Sequence, residues 1–237
     1  MVVGLASYRS VLTNADDRYP VSLISTDRNR RIATVETVMP EGVTPKGARG
    51  RILNAALHQF ASQGYGGTSV RDICAEAKVQ VTTLYSHFPS KEHVLAEVIR
   101  LGNEEHFRLL RNALLESDPE PRKQLRNLVR AHVLSHCEFS MLAVVASSEM
   151  HSLSEELATP IIAIRSQSQS LLAEVFKRGI RLGLFDVPDI ELACRAIGGM
   201  GLRVAFWYEP NCGKSADEVA DSYAEFALRI AGLDRSD

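Results

Sequence analysis

The chain has 237 residues, 45% of them apolar and 24% charged, a composition that excludes wholesale disorder and suits one ordinary domain or a small module joined to a larger one. No apolar run reaches the roughly 18 residues of a membrane span. The start of the chain lacks the hydrophobic block of a signal sequence, and Cys74, Cys137, Cys194 and Cys212 are too dispersed for a disulfide framework or a zinc-finger pattern, so free thiols in a reducing cytoplasm are expected. The formal charge of −2 is unevenly spread. Residues 46–92 set Lys46, Arg49, Arg51, Arg71, Lys78 and Lys91 against Asp72, Glu76 and Glu92, a net +3; residues 1–45 balance, which leaves −5 for the rest. A small basic module before a larger acidic one points to a polyanion as partner of the first.

Residues 1–45 show no sustained period and hold Pro20, Pro40 and Pro45. They are expected to form a flexible extension, with a transient strand at Val21–Ser25 or Ile32–Val38 and an Arg28–Arg31 cluster that either tracks phosphates or is simply solvated. From Arg51 the pattern turns helical: Ile52, Ala55, Ala56 and Phe60 recur at three and four, and Gly64 supplies a stop. Two short helices follow, about 69–77 with Thr68 or Ser69 as cap, and about 80–87, separated by Lys78–Val79. Ser90 then caps a series of longer helices at about 91–116, 121–137, 139–151, 160–183, 189–208 and 216–232. Prolines punctuate these at their first turns or just past their ends, and Ser215-x-x-Glu218 is a capping-box pattern before the last. The fold expected is all-α: three N-terminal helices, then a larger helical domain.

Three helices of these lengths, the second and third joined by a tight turn, fit a helix-turn-helix. Spacing alone suits a generic three-helix core equally well. The residues say more. Ile52–Ala61, Gly64-Tyr-Gly-Gly-Thr-Ser-Val-Arg-Asp-Ile73, Leu84-Tyr-Ser-His-Phe88 and Ser90-Lys-Glu92 resemble the tetracycline-repressor (TetR) family of bacterial transcription regulators across about residues 48–98. The resemblance implies a DNA-binding module at 46–92, an effector-binding and dimerisation domain at 93–237, and a homodimer on double-stranded operator DNA. It further implies that Thr68 and Ser69 cap the second helix where it meets a phosphate. Tyr85 and His87 match the aromatic pair on the DNA backbone, Lys91 the lysine opening the fourth helix, and Lys46, Arg49 and Arg51 are placed for phosphate or minor-groove contacts. Tyr85 and His87 packing against Phe88 is the structural alternative.

The chain departs from the family pattern in the turn. Lys78 stands where glycine is usual, and holding a left-handed backbone there costs on the order of 1 kcal/mol. Gln80 replaces the usual serine cap, and Val81, Thr82 and Thr83 follow. This helix offers no arginine or lysine to guanine; glutamine suits adenine, and valine or threonine methyls suit thymine. The expected half-site is therefore A·T-centred.

In the second domain, Ala193, Ile197, Val204 and Tyr208, with Val219, Tyr223, Phe226 and Ile230, form apolar stripes suited to an intersubunit four-helix bundle. Gly198, Gly199 and Gly201 cost helix stability, about 1 kcal/mol each, which close approach of a partner helix or a ligand would explain. The segment Lys177–Phe185, with Gly199-Met-Gly201 and Trp207-Tyr-Glu-Pro210, resembles the family branch that regulates fatty-acid and steroid-ring degradation and responds to acyl-CoA thioesters. That resemblance implies an apolar pocket with cations near its mouth: Arg165, Arg178 and Arg181 as cations, Phe139, Met141, Met200 and Trp207 as lining. His132 and His136, one turn apart on an apolar stripe, are expected to line the pocket or sit in the core rather than share a metal, so no metal and no cofactor are expected. The contrasting classes are a helical hydrolase or thioesterase using Cys137 and His136, and an effector-independent DNA-binding dimer. Against the enzyme stands the absence of H-E-x-x-H, G-x-S-x-G, P-loop and dinucleotide motifs.

Overall fold

The computed structural model describes residues 39–233, and among these no strand occurs. The expected strand pieces and the Arg28–Arg31 cluster lie outside the described residues. The end of the expected extension is packed: Met39 is buried against the first core, and Thr44 closes a turn by donating its hydroxyl to the Pro40 carbonyl at 2.6 Å.

Helix α1 (Gly47–Gly67) begins four residues earlier than its apolar period suggests. It breaks at Gly64, where φ is 72°, a left-handed conformation that glycine adopts without steric cost. Helix α2 (Val70–Ala77) starts at Ser69. Its hydroxyl accepts from Asp72 N, while the Asp72 carboxylate accepts from Ser69 N at 2.8 Å, a reciprocal cap. Helix α3 (Val81–His87) follows a turn in which Val79 N donates to the Cys74 carbonyl at 3.0 Å. Ile52, Leu53, Leu57 and Phe60 of α1 meet Ile73, Cys74 and Ala77 of α2 and Leu84 of α3 in one buried cluster.

Lys78 has φ 53° and ψ 52°, and among the described residues no other non-glycine has positive φ. The chain tolerates here the strain that a glycine would avoid. Lys78→Gly is expected to stabilise the protein by about 1 kcal/mol, raising a thermal midpoint by roughly 2–4 °C; an unchanged or lowered midpoint would contradict this.

Helix α4 (Lys91–Leu115) connects two cores. Val94, Leu95, Val98 and Ile99 belong to the cluster of the first three helices, whereas Leu110 belongs to a second one. Helix α5 (Pro121–Glu138) is central to that second core, and α9 (Ala216–Ile230) lies along it. Arg126 and Arg130 of α5 pair with Asp217, Asp221 and Glu225 on that contact. Helix α6 (Ser140–Ser148) packs against α1 and α4 and is followed by a 3-10 turn at Met150–Ser152. Helix α7 (Glu155–Arg181) runs beside α4, and α8 (Ile190–Val204) closes the domain against α5 and α7. Pro160 does not open α7; it sits inside the second turn and forgoes the ladder hydrogen bond to the Glu156 carbonyl.

The apolar stripes of α8 and α9 turn mostly inward within one subunit. Ala193, Ile197, Val204, Tyr208 and Val219 are buried in the second core. The large apolar side chains these helices leave exposed are Leu192 and Phe226. Period identifies a buried stripe but not which neighbour buries it: α5 covers the inner side of these helices, and Leu192 and Phe226 remain on their outer side.

Candidate functional site

One end of the molecule gathers the residues expected to meet DNA. On α3, Leu84 and the following Phe88 face the core, which leaves Val81, Thr82, Tyr85 and Ser86 outward. Gln80 caps this helix through its backbone only, so its side chain is not spent on the cap. Tyr85 is 51% exposed. Thr83 is half-buried, and half-buried His87 meets the Phe88 ring edge-on. Lys46 is exposed at the start of α1, and Arg51 donates to the Ala77 carbonyl at the end of α2.

Three of the expected residues are committed to the fold. Thr68 is buried and donates its hydroxyl to the Gln59 and Gly64 carbonyls, so it braces the end of α1; the cap is Ser69. Lys91 donates to the Tyr65 and Thr68 carbonyls, both at 2.7 Å, with its ammonium 4.1 Å from the Tyr65 ring centre. Arg49 pairs with Glu97 at 2.9 Å and stacks over Phe88. These contacts fix the angle between α1 and α4 and hold the base of α3.

Below this module lies a cavity of ≈ 500 Å³ between α4, α5, α6, α7 and α8, within the size range of small-molecule sites. Leu110, Leu128, Leu142, Leu172 and Ile197 give it apolar walls. Four of the nine residues expected around an effector line it: His132, His136, Phe139 and Arg165. The other five do not. Met141 is buried in the first core. Arg178 reaches the Pro119 carbonyl and the Gln124 side chain, and Arg181 is exposed at the end of α7. Met200 and Trp207 pack on the second core. Met141 and Met200 sit on cavity-lining helices but on another face, since neighbouring helical residues point about 100° apart; Arg178 and Arg181 lie on turns of α7 beyond the cavity, and Trp207 follows the end of α8.

The polar lining includes residues the sequence did not single out. His106 of α4 stacks edge-on with both His132 and His136, at ring-centre distances of 5.1 and 5.0 Å. Arg165 donates to Asn103 Oδ1 at 3.0 Å and to the Ala146 carbonyl at 2.7 Å. Both partners are neutral, no carboxylate pairs with it among the described residues, and burial pulls its guanidinium below the usual arginine range. An uncompensated cation thus faces an apolar cavity. Burial likewise pushes His106 and His132 down, with neighbouring histidines adding to the effect at His106, and lowers His136 to about 3.

The same burial disposes of a cysteine–histidine dyad. The Cys137 thiol is pushed up to about 12, so it offers no thiolate at neutral pH. His136 directs its Nδ1 at the His132 carbonyl, 2.6 Å away, rather than at the thiol.

Comparison with known proteins agrees with this geometry. Residues 52–98 match the family described as bacterial regulatory proteins, tetR family, and residues 118–231 match the tetracyclin repressor-like C-terminal domain. The HTH-type transcriptional repressor KstR2 of Rhodococcus jostii is 29% identical over 185 residues, covering 77% of this chain and 90% of that protein. The crystal structure of PfmR, a TetR family transcriptional regulator from Thermus thermophilus, is 33% identical with a TM-score of 0.70, covering 78% of this chain and all of that one. AibR, solved in complex with isovaleryl coenzyme A and operator DNA, shares the fold at 23% identity and a TM-score of 0.68, covering 74% of this chain and 95% of that one. A helix-turn-helix on an all-helical domain, matched at both ends by family models, places the chain: it belongs to the TetR family of bacterial transcriptional regulators.

Proposed function

We propose that this regulator is a cytoplasmic homodimeric repressor whose α3 helices read operator DNA and whose cavity takes an effector with an apolar body and an anionic or carbonyl oxygen. The observation that carries the effector class is Arg165, a partly buried cation in an apolar wall with only neutral partners. A buried charge left uncompensated is costly, and a ligand oxygen would offset that cost. A cavity of this size also speaks against an effector-independent dimer.

On DNA, Gln80, Val81, Thr82, Thr83 and Tyr85 would meet base edges and backbone. Lys46, Arg51, Ser69 and His87 would flank them on phosphates. Arg49, Thr68 and Lys91 would act by holding the module's shape. Pairing through α8 and α9, with Leu192 and Phe226 at the contact, would set the two α3 helices about one DNA turn apart, ~34–36 Å. The face of α3 favours A·T pairs: selection from random duplexes should return A·T-centred inverted repeats, and strictly G-rich half-sites would contradict that reading.

Helix α6 supports a route from cavity to DNA. Leu142, Ala143, Ala146 and Ser147 line the cavity, while Met141, Leu142 and Val145 sit in the core shared with α1. A ligand that fills the cavity presses on the helix that supports the DNA-binding module. The equilibrium shifts only if the ligand binds the displaced state more tightly.

An acyl-CoA thioester remains the favoured effector class, drawing on the sequence resemblance and on the shared fold of AibR. With Arg178 and Arg181 away from the cavity, only its acyl and thioester groups would enter, with the nucleotide part outside near Arg195. The test is a mobility shift on the chain's own upstream DNA with acyl-CoA thioesters, the matching free acids and CoA itself. Release by thioesters alone identifies the class; release by free acids moves it to carboxylates. Arg165→Gln should keep operator affinity and weaken the effector about tenfold or more, the range of a hydrogen bond to a charged group. An unchanged effector response in that variant would remove Arg165 from the reading.

A further inference from the structure

We propose that His106, His132 and His136 form a three-nitrogen site in the cavity wall for one divalent transition-metal ion of the zinc class. One ring nitrogen from each lies within 4.8 Å of the others. The hydrogen bonds made by the opposite nitrogens fix the tautomers of His132 and His136 and, through Ser135, favour one for His106. His136 Nδ1 is 2.6 Å from the His132 carbonyl and His132 Nε2 is 3.2 Å from the Gly198 carbonyl. Carbonyls only accept, so both nitrogens carry protons. With the Ser135 hydroxyl donated to the His132 carbonyl at 2.8 Å, His106 Nδ1, 2.8 Å from Ser135 Oγ, is the donor there. What remains is three lone pairs, on His106 Nε2, His132 Nδ1 and His136 Nε2.

Two of these, His106 Nε2 and His132 Nδ1, lie 3.2 Å apart. In this tautomer the two lone pairs face one another, and a cation between them would hold both. Two nitrogens bound tetrahedrally at ~2.0–2.1 Å from zinc are roughly 3.3–3.4 Å apart, so this pair is already spaced for the ion and the third ring has only to close in. Each histidine has its outer N–H pinned by an oxygen, the arrangement that orients imidazole ligands and fixes their tautomers. Three protein ligands leave a fourth position, and since all three histidines line the cavity it opens there. Arg165 lies close enough to act on His106, which favours an anionic oxygen donor at that position.

The proposal is independent of the operator and effector readings. The competing arrangement turns the Ser135 proton onto His106 Nδ1 and closes the network as ordinary hydrogen bonds without an ion. The test uses the full-length, tag-free chain, stripped with chelator and equilibrated with Zn²⁺ alone. Metal content after gel filtration and the thermal midpoint are then measured. One zinc per chain with a raised midpoint is expected. His106→Gln and His136→Gln, with helical content checked by circular dichroism, should lose it. Ser135→Ala, a small change that keeps the core filled, should weaken zinc about tenfold or more. No stoichiometric uptake by the wild type would overturn the proposal, as would uptake that is unchanged in all three variants.

Discussion

Exchanging Gly201 for alanine is expected to destabilise the protein by roughly 3 kcal/mol, combining overpacking with a broken buried hydrogen bond, and to lower the thermal midpoint by about 6–12 °C. A Cβ at Gly201 would fall 2.2 Å from Cδ2 and 2.4 Å from Nε2 of His132. That ring cannot swing aside freely. It is tied to the Gly198 carbonyl and to His106 and stacked against His136 with ring centres 4.5 Å apart. Helix α8 would have to lift from α5, or the histidine cluster would have to break. The two neighbouring glycines provide an internal control, since an alanine Cβ at Gly198 or Gly199 meets nothing within 4 Å. Those substitutions should leave stability unchanged or raise it by up to about 1 kcal/mol through helix propensity. Three alanine variants in one helix, melted side by side, check the point; equal effects at all three would contradict the contact.

The second large effect is loss of stability in acid. The buried histidines have folded-state values below the ordinary 6.5, with His136 at about 3. Below pH 6.5 the unfolded chain takes up protons that the folded chain refuses, so stability falls as pH drops and is flat with respect to these groups above it. A histidine whose folded-state value lies well below the pH contributes up to about 1.4 kcal/mol per pH unit, and His136, lowered to about 3, does so over the acid range below 6.5. Against a total of about 5–15 kcal/mol, His136 alone removes a sizeable share of the stability by pH 4.5, and the lowered His106 and His132 add to that loss. Urea melts of the metal-free protein between pH 7.5 and pH 4.5, with chelator present, provide the measurement. His136→Gln should reduce the slope by about one proton's worth. A stability that stays level down to pH 4.5 would show that these rings are solvated.

Much of this was legible in the sequence because it was local. The three- and four-residue spacing of Ile52, Ala55, Ala56 and Phe60, the stop at Gly64, the cap at Ser90 and the Ser215–Glu218 box all concern residues within a turn or two of one another. The left-handed strain at Lys78 was legible through the family resemblance, which puts glycine at that turn. The cavity was only half legible. His132 and His136 announce themselves one turn apart, but His106 lies 26 residues before His132 and meets it only because α4 crosses α5. A histidine on the inward side of a long helix is the only local signal, and it does not name its partners. Arg178 and Arg181 fail for the complementary reason. They lie on a helix that does line the cavity, but on turns beyond it, where α7 has already passed Gln124.

The central claim is that α3 reads DNA, and a mobility shift on the chain's own upstream duplex against excess competitor tests it most directly. Wild-type protein and a Val81→Glu, Tyr85→Ala double variant are compared at one moderate salt concentration. Both altered residues are exposed on α3, so folding should be unaffected. The wild type is expected to retard the duplex specifically as a dimer, and the variant to lose that discrimination while keeping its helical content. Equal binding by both proteins, or a wild type that cannot distinguish its upstream duplex from competitor, would contradict the account.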